Sequence, residues 1–282
     1  MLLIQRKIKY NKKKDQRHEE EVIMPHISLQ MYTLRDFVKT PEDVRKTYHK
    51  VADIGYRYVQ PILPAFMTVD KFAAVLKECN LKADSFSYGG ADIADKLDEM
   101  KRIGDALETK YIRGGSISKD DSYTKESFKR AAADIQKRAA AARKAGMVYL
   151  YHFHAYEFVD FGDCNGMEIL LNEAPDLQFQ PDVHWIAAAG YEPSSALYMF
   201  KGRAPYLHMQ GYAIHPDPEQ KRNICDATVP VGQGALNWKG IVDAGRNMDV
   251  ELYVAEQDYC YVEHFESVRQ CFEGLRNLGI DA

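Results

Sequence analysis

The sequence predicts one closed barrel of eight alternating β-strands and α-helices, a (β/α)8 TIM barrel, and three observations carry that reading. From His26 onward, short apolar runs alternate with amphipathic helical patterns eight times. The chain has 282 residues, a length at which such barrels form as a single unit. The first strand leads into Tyr32-Thr33-Leu34-Arg35-Asp36 rather than a glycine-rich phosphate loop, which makes an open doubly wound sheet the weaker alternative.

His26 to Tyr32 reads as the first strand. Thr40 as N-cap and Pro41 in the first turn open the first helix, Val44, Tyr48, Val51 and Ile54 form its apolar stripe, and Gly55 closes it. Tyr56 to Pro61 is the second strand, and Thr68 to Asn80 a helix with Phe72, Val75, Leu76 and Cys79 on one face. Lys82 to Tyr88 and Ile93 to Leu107 form the third pair. Tyr111 to Gly114 and the alanine-rich helix Thr124 to Ala145, ended by Gly146, form the fourth. The remaining pairs are Met147 to His154 with Gly166 to Glu173, Leu177 to Val183 with Pro193 to Lys201, Tyr206 to Gln210 with Asn237 to Met248, and Glu251 to Glu256 with His264 to Leu278.

Composition narrows the function classes. Hydrophobic residues make up 46 % of the chain, enough for a sizeable core and against wholesale disorder. A formal charge of −4 argues against a nucleic-acid surface and for a small-molecule partner. The five cysteines are odd in number, widely spaced and without a C-x-x-C pair, which fits a reducing cytoplasm rather than a disulfide framework. No apolar run reaches the roughly 18 residues needed to span a bilayer. Residues 1–23, with Lys12 to Lys14 and Glu19 to Glu21, lack the apolar centre of a signal peptide and read as a disordered or frayed extension; residues 24–282 are the barrel, and Met24 is an alternative start. A homo-oligomer or a partner subunit stays open.

The chemistry gathers late in the chain. Asp182, His208 and Glu256 each end an apolar strand, and in a barrel of this kind strand carboxyl ends converge on one mouth. Alone, each has a bland reading: a helix cap, a satisfied core histidine, a salt-bridge partner. Together they suit a divalent cation handling a polyhydroxylated substrate. Strand alternation sets His152 and His154 on one face with Tyr151 and Phe153 on the other, and Glu157 lies just beyond, near enough to fold back as a ligand. One of the two histidines could instead only hydrogen-bond the ligands. Trp185 and Trp238 offer stacking faces for a sugar, although most of the 18 tyrosines should pack between helices and barrel. In the loop that starts at His215, Arg222 is either a phosphate or carboxylate partner or a solvated charge.

Several motifs occur in order: Ile27-Ser-Leu-Gln-Met-Tyr-Thr-Leu-Arg35-Asp36, Tyr151-His-Phe-His-Ala-Tyr-Glu-Phe158, Pro181-Asp-Val-His-Trp185 followed by Gly190, Gly202-Arg203 before His208, Val231-Gly-Gln-Gly-Ala-Leu-Asn-Trp238, and Val254-Ala-Glu-Gln-Asp258. This succession resembles the xylose-isomerase-like TIM barrels, which group sugar phosphate isomerases/epimerases with the family 2 AP endonucleases. The resemblance covers nearly everything from Ile27 to Gly279. It implies a centre for Mn²⁺ foremost, or Mg²⁺, Co²⁺ or Zn²⁺, held by Asp182, His208, Glu256 and a strand-five group for which Glu157 is the nearest carboxylate and His152 the alternative. It also implies chemistry on a carbon next to a carbonyl, with substrate contacts from His184, Trp185, Gln60 and Arg222.

The chain departs from that pattern at informative places. His152 occupies the strand-five register where many relatives carry Glu, Gln60 replaces a common Glu on strand two, and His208-Met209-Gln210-Gly211 lacks the Lys and Asp of a His-x-Lys-Asp run. These changes keep metal binding and alter the proton-transfer set. The expected activity is metal-dependent sugar or sugar phosphate isomerisation or epimerisation, with His154 or His152 as base and Glu256 as ligand and acid. A lyase, either a dehydratase or an enzyme cleaving 3-keto-glycosides, shares the first step and is the second reading. A non-catalytic sugar-binding barrel is the third, and a DNA-repair nuclease stands behind all of these because no basic groove is evident.

Overall fold

The computed structural model describes residues 25–88, 93–115, 117, 123–214 and 227–281. The expected extension, Met24 and Arg222 with most of its loop lie outside the described residues. The strands are β1 (His26–Gln30), β2 (Tyr58–Gln60), β3 (Lys82–Ala83), β4 (Phe86–Ser87), β5 (Tyr111–Gly114), β6 (Val148–His152), β7 (Gln178–Gln180), β8 (Tyr206–Met209), β9 (Gly211–Ala213), β10 (Ala227–Val229) and β11 (Leu252–Ala255). The helices are α1 (Pro41–Ile54), α2 (Val69–Glu78), α3 (Leu97–Leu107), α4 (Lys125–Lys144), α5 (Gly166–Glu173), α6 (Val183–Ala188), α7 (Pro193–Ala196), α8 (Trp238–Asn247) and α9 (His264–Asn277). No described helix is long and apolar enough to cross a membrane.

Parallel pairing runs β3-β2-β1-β11-β8 through one arc and β4-β5-β6-β7 through the other. The arcs join at two seams. β3 and β4 are halves of one stave interrupted at Asp84 and Ser85, where Asp84 N–H bonds the Val59 carbonyl and Tyr88 N–H bonds the Arg113 carbonyl, both at 3.0 Å. On the far side His208 N–H reaches the Pro181 carbonyl at 2.8 Å, and Asp182 bridges His208. Counting β3 and β4 as one stave, eight staves close the TIM barrel, with β9 and β10 as an antiparallel ribbon beyond β8.

Local chemistry explains the elements. The Thr40 side chain accepts from Asp43 N–H ahead of Pro41, and Thr124 and Asn165 form reciprocal capping boxes with Ser127 and Glu168. Each such cap contributes about 1 kcal/mol. In α1, Val44, Thr47, Tyr48 and Val51 are buried at helical spacing. Alternation along the strands divides the interior in two: Ile27, Leu29, Phe179 and Tyr253 join the main core under the helices, while Leu150, Tyr206, Leu252 and Val254 fill the barrel itself.

Boundaries differ from expectation near the site. The sixth barrel strand stops at Gln180 instead of Val183, because Asp182 turns the chain as N-cap of α6. The fifth stops at His152, and Ala155–Phe158 winds into a 3₁₀ turn. The helix expected over 193–201 is α7 continued by a 3₁₀ turn at Leu197–Phe200.

Candidate metal centre at the carboxyl ends of the strands

Four side chains meet inside the mouth of the barrel. His152, Asp182, His208 and Glu256 each present one donor atom, and these atoms lie within 4.8 Å of one another. Backbone placement brings them there. His152 is the last residue of β6, Asp182 follows β7, His208 lies inside β8, and Glu256 follows β11 where Gln257 N–H bonds the Thr33 hydroxyl at 3.0 Å.

The polar accounting at this cluster is unusual. His152 Nδ1, Asp182 Oδ2, His208 Nδ1 and Glu256 Oε2 are all buried and all lack a hydrogen-bond partner. His208 Nδ1 sits 2.6 Å from Glu256 Oε2 and 3.7 Å from Asp182 Oδ2, yet neither approach has hydrogen-bond alignment. Each orphaned buried polar atom costs about 1–3 kcal/mol, so four aimed at one point call for a shared partner.

The remaining atoms of these side chains are well occupied. Asp182 Oδ1 accepts from His184 N–H at 2.8 Å and Trp185 N–H at 3.4 Å. His208 Nε2 lies 2.9 Å from Gln60 Oε1. The His152 ring lies 4.6 Å from that of His208, and its Nδ1 has no hydrogen-bond partner. His208 is thus fixed through one nitrogen and open at the other, the arrangement in which imidazole ligates a metal.

Electrostatics point the same way. Burial pushes Asp182 up to about 7 against the opposing pull of His208, and pushes Glu256 up to about 7 against the pull of Arg113 and Arg35. Burial also holds His152 well below its ordinary 6.5, helped by His208 and His154, and lowers His208 against the pull of Asp182. Despite those two guanidinium groups nearby, the four side chains themselves, two buried carboxyls beside two imidazoles held neutral, contain no cation, and a divalent ion among them supplies one. The two-nitrogen, two-oxygen donor set fits such an ion without selecting among Mn²⁺, Co²⁺ and Zn²⁺.

The other anticipated residues are arranged around this cluster. Glu157, proposed from sequence as the strand-five ligand, stands outside it: the Tyr151 hydroxyl donates to Oε1 at 2.8 Å and His154 N–H to Oε2 at 2.9 Å, and burial raises its carboxyl to about 8. The chain leaves the strand after His152, and the 3₁₀ turn pins Glu157 on the outer side with Tyr151. His154 keeps its ring 5.0 Å from that of His152, stacks on Tyr156 at 5.2 Å and lies 5.1 Å from Trp185. His154, Tyr156 and Trp185 therefore form one partly exposed aromatic wall beside the donors. His184 is buried behind it, with Nδ1 3.0 Å from the Gly211 carbonyl. Gln60 sits beneath His208, fully buried, instead of at the mouth.

Sequence reading passed over two inward-facing side chains here. Arg113 is buried, with its guanidinium on Gln60 Oε1 and Ser87 Oγ. Gln180 pairs in register with His152, is fully buried and has both amide atoms unpartnered. A charged or amide residue inside a strand of three or four residues was the only signal for either. A cleft of about 1520 Å³, lined by Tyr58, Lys82, Tyr111, Tyr206 and Glu251 among others, opens at the opposite, amino-terminal end of the barrel. The four-donor convergence lies at the carboxyl end, where barrels of this kind place their chemistry.

Known proteins agree with this architecture. Residues 48–267 match the family described as xylose isomerase-like TIM barrel. A sugar phosphate isomerase/epimerase from Parabacteroides distasonis superposes with a TM-score of 0.71 at 16% identity, covering 93% of this chain and 97% of that one. A probable 3-DHS dehydratase from Bacillus anthracis gives 0.65 at 16% identity over 89% and 99% of the two chains. D-allulose 3-epimerase from a Methylomonas species, in complex with D-allulose, gives 0.63 at 14% identity over 90% and 97%. A comparison with curated protein sequences finds no match. With the matched segment spanning most of its length, the chain belongs to the xylose isomerase-like TIM barrel family.

Proposed function

We propose that this protein is a metal-dependent enzyme acting on a small carbohydrate by removing a proton next to a carbonyl, with isomerisation or epimerisation as the outcome. The observation that carries the reading is the convergence of four side chains with donor atoms within 4.8 Å at the strand carboxyl ends, each of which also has a buried polar atom without a hydrogen-bond partner. His152, Asp182, His208 and Glu256 would hold the cation, Mn²⁺ foremost. A divalent ion bound there supplies electrophilic polarisation of carbonyl and hydroxyl oxygens.

His154 is the base in this proposal. Its ring is partly exposed beside the donors, and Tyr156 Oη lies 3.1 Å from Nδ1. With Nδ1–H donated to that phenol oxygen, the basic lone pair of the ring sits on Nε2. Trp185 supplies an apolar face for the sugar ring. The complexed D-allulose of the Methylomonas epimerase supports a ligand of this size and chemistry.

A dehydratase is the second reading, supported by His152 in the strand-five position. With an imidazole there, a symmetric pair of carboxylate bases is missing, and elimination needs only one base and one acid. The resemblance to a probable 3-DHS dehydratase supports the same reading.

One experiment separates these readings from a non-catalytic binder. Purified protein is assayed for bound metal, then incubated with Mn²⁺ in deuterated water with a panel of keto sugars, inososes and 3-keto-glycosides. Deuterium incorporation that is lost in Asp182→Ala together with the metal supports the enzyme. Metal-free wild-type protein, or tight sugar binding without exchange, overturns it.

A further inference from the structure

We infer that Arg113 and Gln60 form a lock that sets the tautomer of His208, making Gln60 a positioning residue rather than a substrate contact. The tautomer follows from the donors alone, while its role in presenting a ligand atom rests on the metal reading of the cluster. A guanidinium has no acceptor, so the Gln60 atom facing Arg113 must be the amide oxygen. Gln30 agrees from the other side: its Oε1 accepts from Tyr32 N–H at 3.3 Å, which leaves its Nε2 to donate to the same Gln60 Oε1 at 3.1 Å.

With its oxygen held in place by two outside donors, Gln60 can offer His208 only an acceptor. His208 Nε2 lies 2.9 Å from that oxygen and must therefore carry the hydrogen. Nδ1 is left as the lone-pair nitrogen, and Nδ1 is the atom aimed at Asp182 and Glu256. The orientation thus passes from a buried cation on β5, through an amide on β2, to a ligand on β8. A glutamine in this position is informative because an amide can flip; without Arg113 only Gln30 still holds the oxygen, and the fraction of amide that turns presents its NH₂ to His208 and selects the wrong tautomer.

The test reads the tautomer directly by long-range ¹H–¹⁵N correlation on full-length, ¹⁵N-histidine-labelled protein, metal-free and then loaded with diamagnetic Zn²⁺. The His208 signals are assigned by their loss in His208→Gln. Wild-type protein is expected to hold His208 as Nε2–H in both states. Gln60→Leu should release it into a mixture and weaken Zn²⁺ binding about 10–100-fold. Gln60→Glu, which can only accept, should retain the wild-type tautomer. Arg113→Gln, which leaves Gln30 as the remaining donor on the amide oxygen, should shift part of the His208 population to the other tautomer and serves if Gln60→Leu does not fold.

An Nδ1–H tautomer in metal-free wild-type protein overturns the inference, as does an unchanged tautomer in both Gln60→Leu and Arg113→Gln. Failure of the metal reading looks different: wild-type protein would bind no Zn²⁺ while the metal-free spectra still reported the lock.

Discussion

Replacing Asp182 with Asn should make the metal-free protein more stable at alkaline pH while abolishing its response to metal. Burial holds the Asp182 carboxyl at about 7 in the fold, against an ordinary 3.8. An acid whose folded pKa is raised keeps an extra proton in the fold, so its stabilising contribution is complete below the unfolded pKa near 4 and is lost as pH rises through about 7. At about 1.36 kcal/mol per pH unit, the gap amounts to roughly 4 kcal/mol lost between pH 4 and 8. Asn preserves the helix cap, because its side-chain oxygen can still accept from His184 N–H. Asp84 and Glu157, also raised by burial, slope the same way in both proteins and cancel in the comparison, while Glu256 and Asp258, whose charges help raise Asp182, are relieved in the variant and add to its lead at pH 8. Urea unfolding of chelator-treated samples should therefore show Asp182→Asn ahead by about 2–4 kcal/mol at pH 8 and by only ~1 kcal/mol near pH 4.5. Mn²⁺ at a hundredfold excess over its Kd should return about 2.7 kcal/mol to the wild type and nothing to the variant. Equal metal-free stability at pH 8, or equal stabilisation of both by Mn²⁺, would refute the reasoning.

Three further outcomes follow from the same geometry. Glu157→Gln should leave metal content unchanged, since both oxygens of Glu157 are engaged away from the cluster and its carboxyl is already raised to about 8; loss of the bound metal measured by elemental analysis would place it back among the ligands. Gly211→Ala should cost about 1–3 kcal/mol in thermal or urea unfolding, because a Cβ there drives into the Val229 backbone carbonyl across the β9–β10 ribbon and disturbs the carbonyl that holds His184. Trp185→Ala should weaken sugar binding roughly tenfold through loss of one aromatic contact while metal content stays at the wild-type level, a split that calorimetry and elemental analysis resolve.

How far the sequence reveals this site depends on whether a residue's neighbours along the chain decide its role. Helix starts were legible because the decisive contact is local: Thr40, Thr124 and Asn165 cap the residue three positions on. Asp182, His208 and Glu256 were legible because each stands at or near the carboxyl end of an apolar strand, and parallel staves carry such ends to one rim. The strand-five donor was not. Choosing between His152 and Glu157 requires knowing that the strand ends at His152 and that the next turn commits Glu157 to Tyr151 and its own cap, a competition invisible to alternation alone. Gln60, Arg113 and Gln180 lay further out of reach, since their significance lies in partners more than 25 residues away or in having none. Asp182 combines both cases in one side chain: its Oδ1 follows a local capping rule, while the orphaned Oδ2 acquires meaning only when three other strands deliver their own unpartnered atoms beside it. A helix cap normally satisfies its carboxylate, so the unsatisfied oxygen, more than the cap, distinguishes a binding centre from a folding signal.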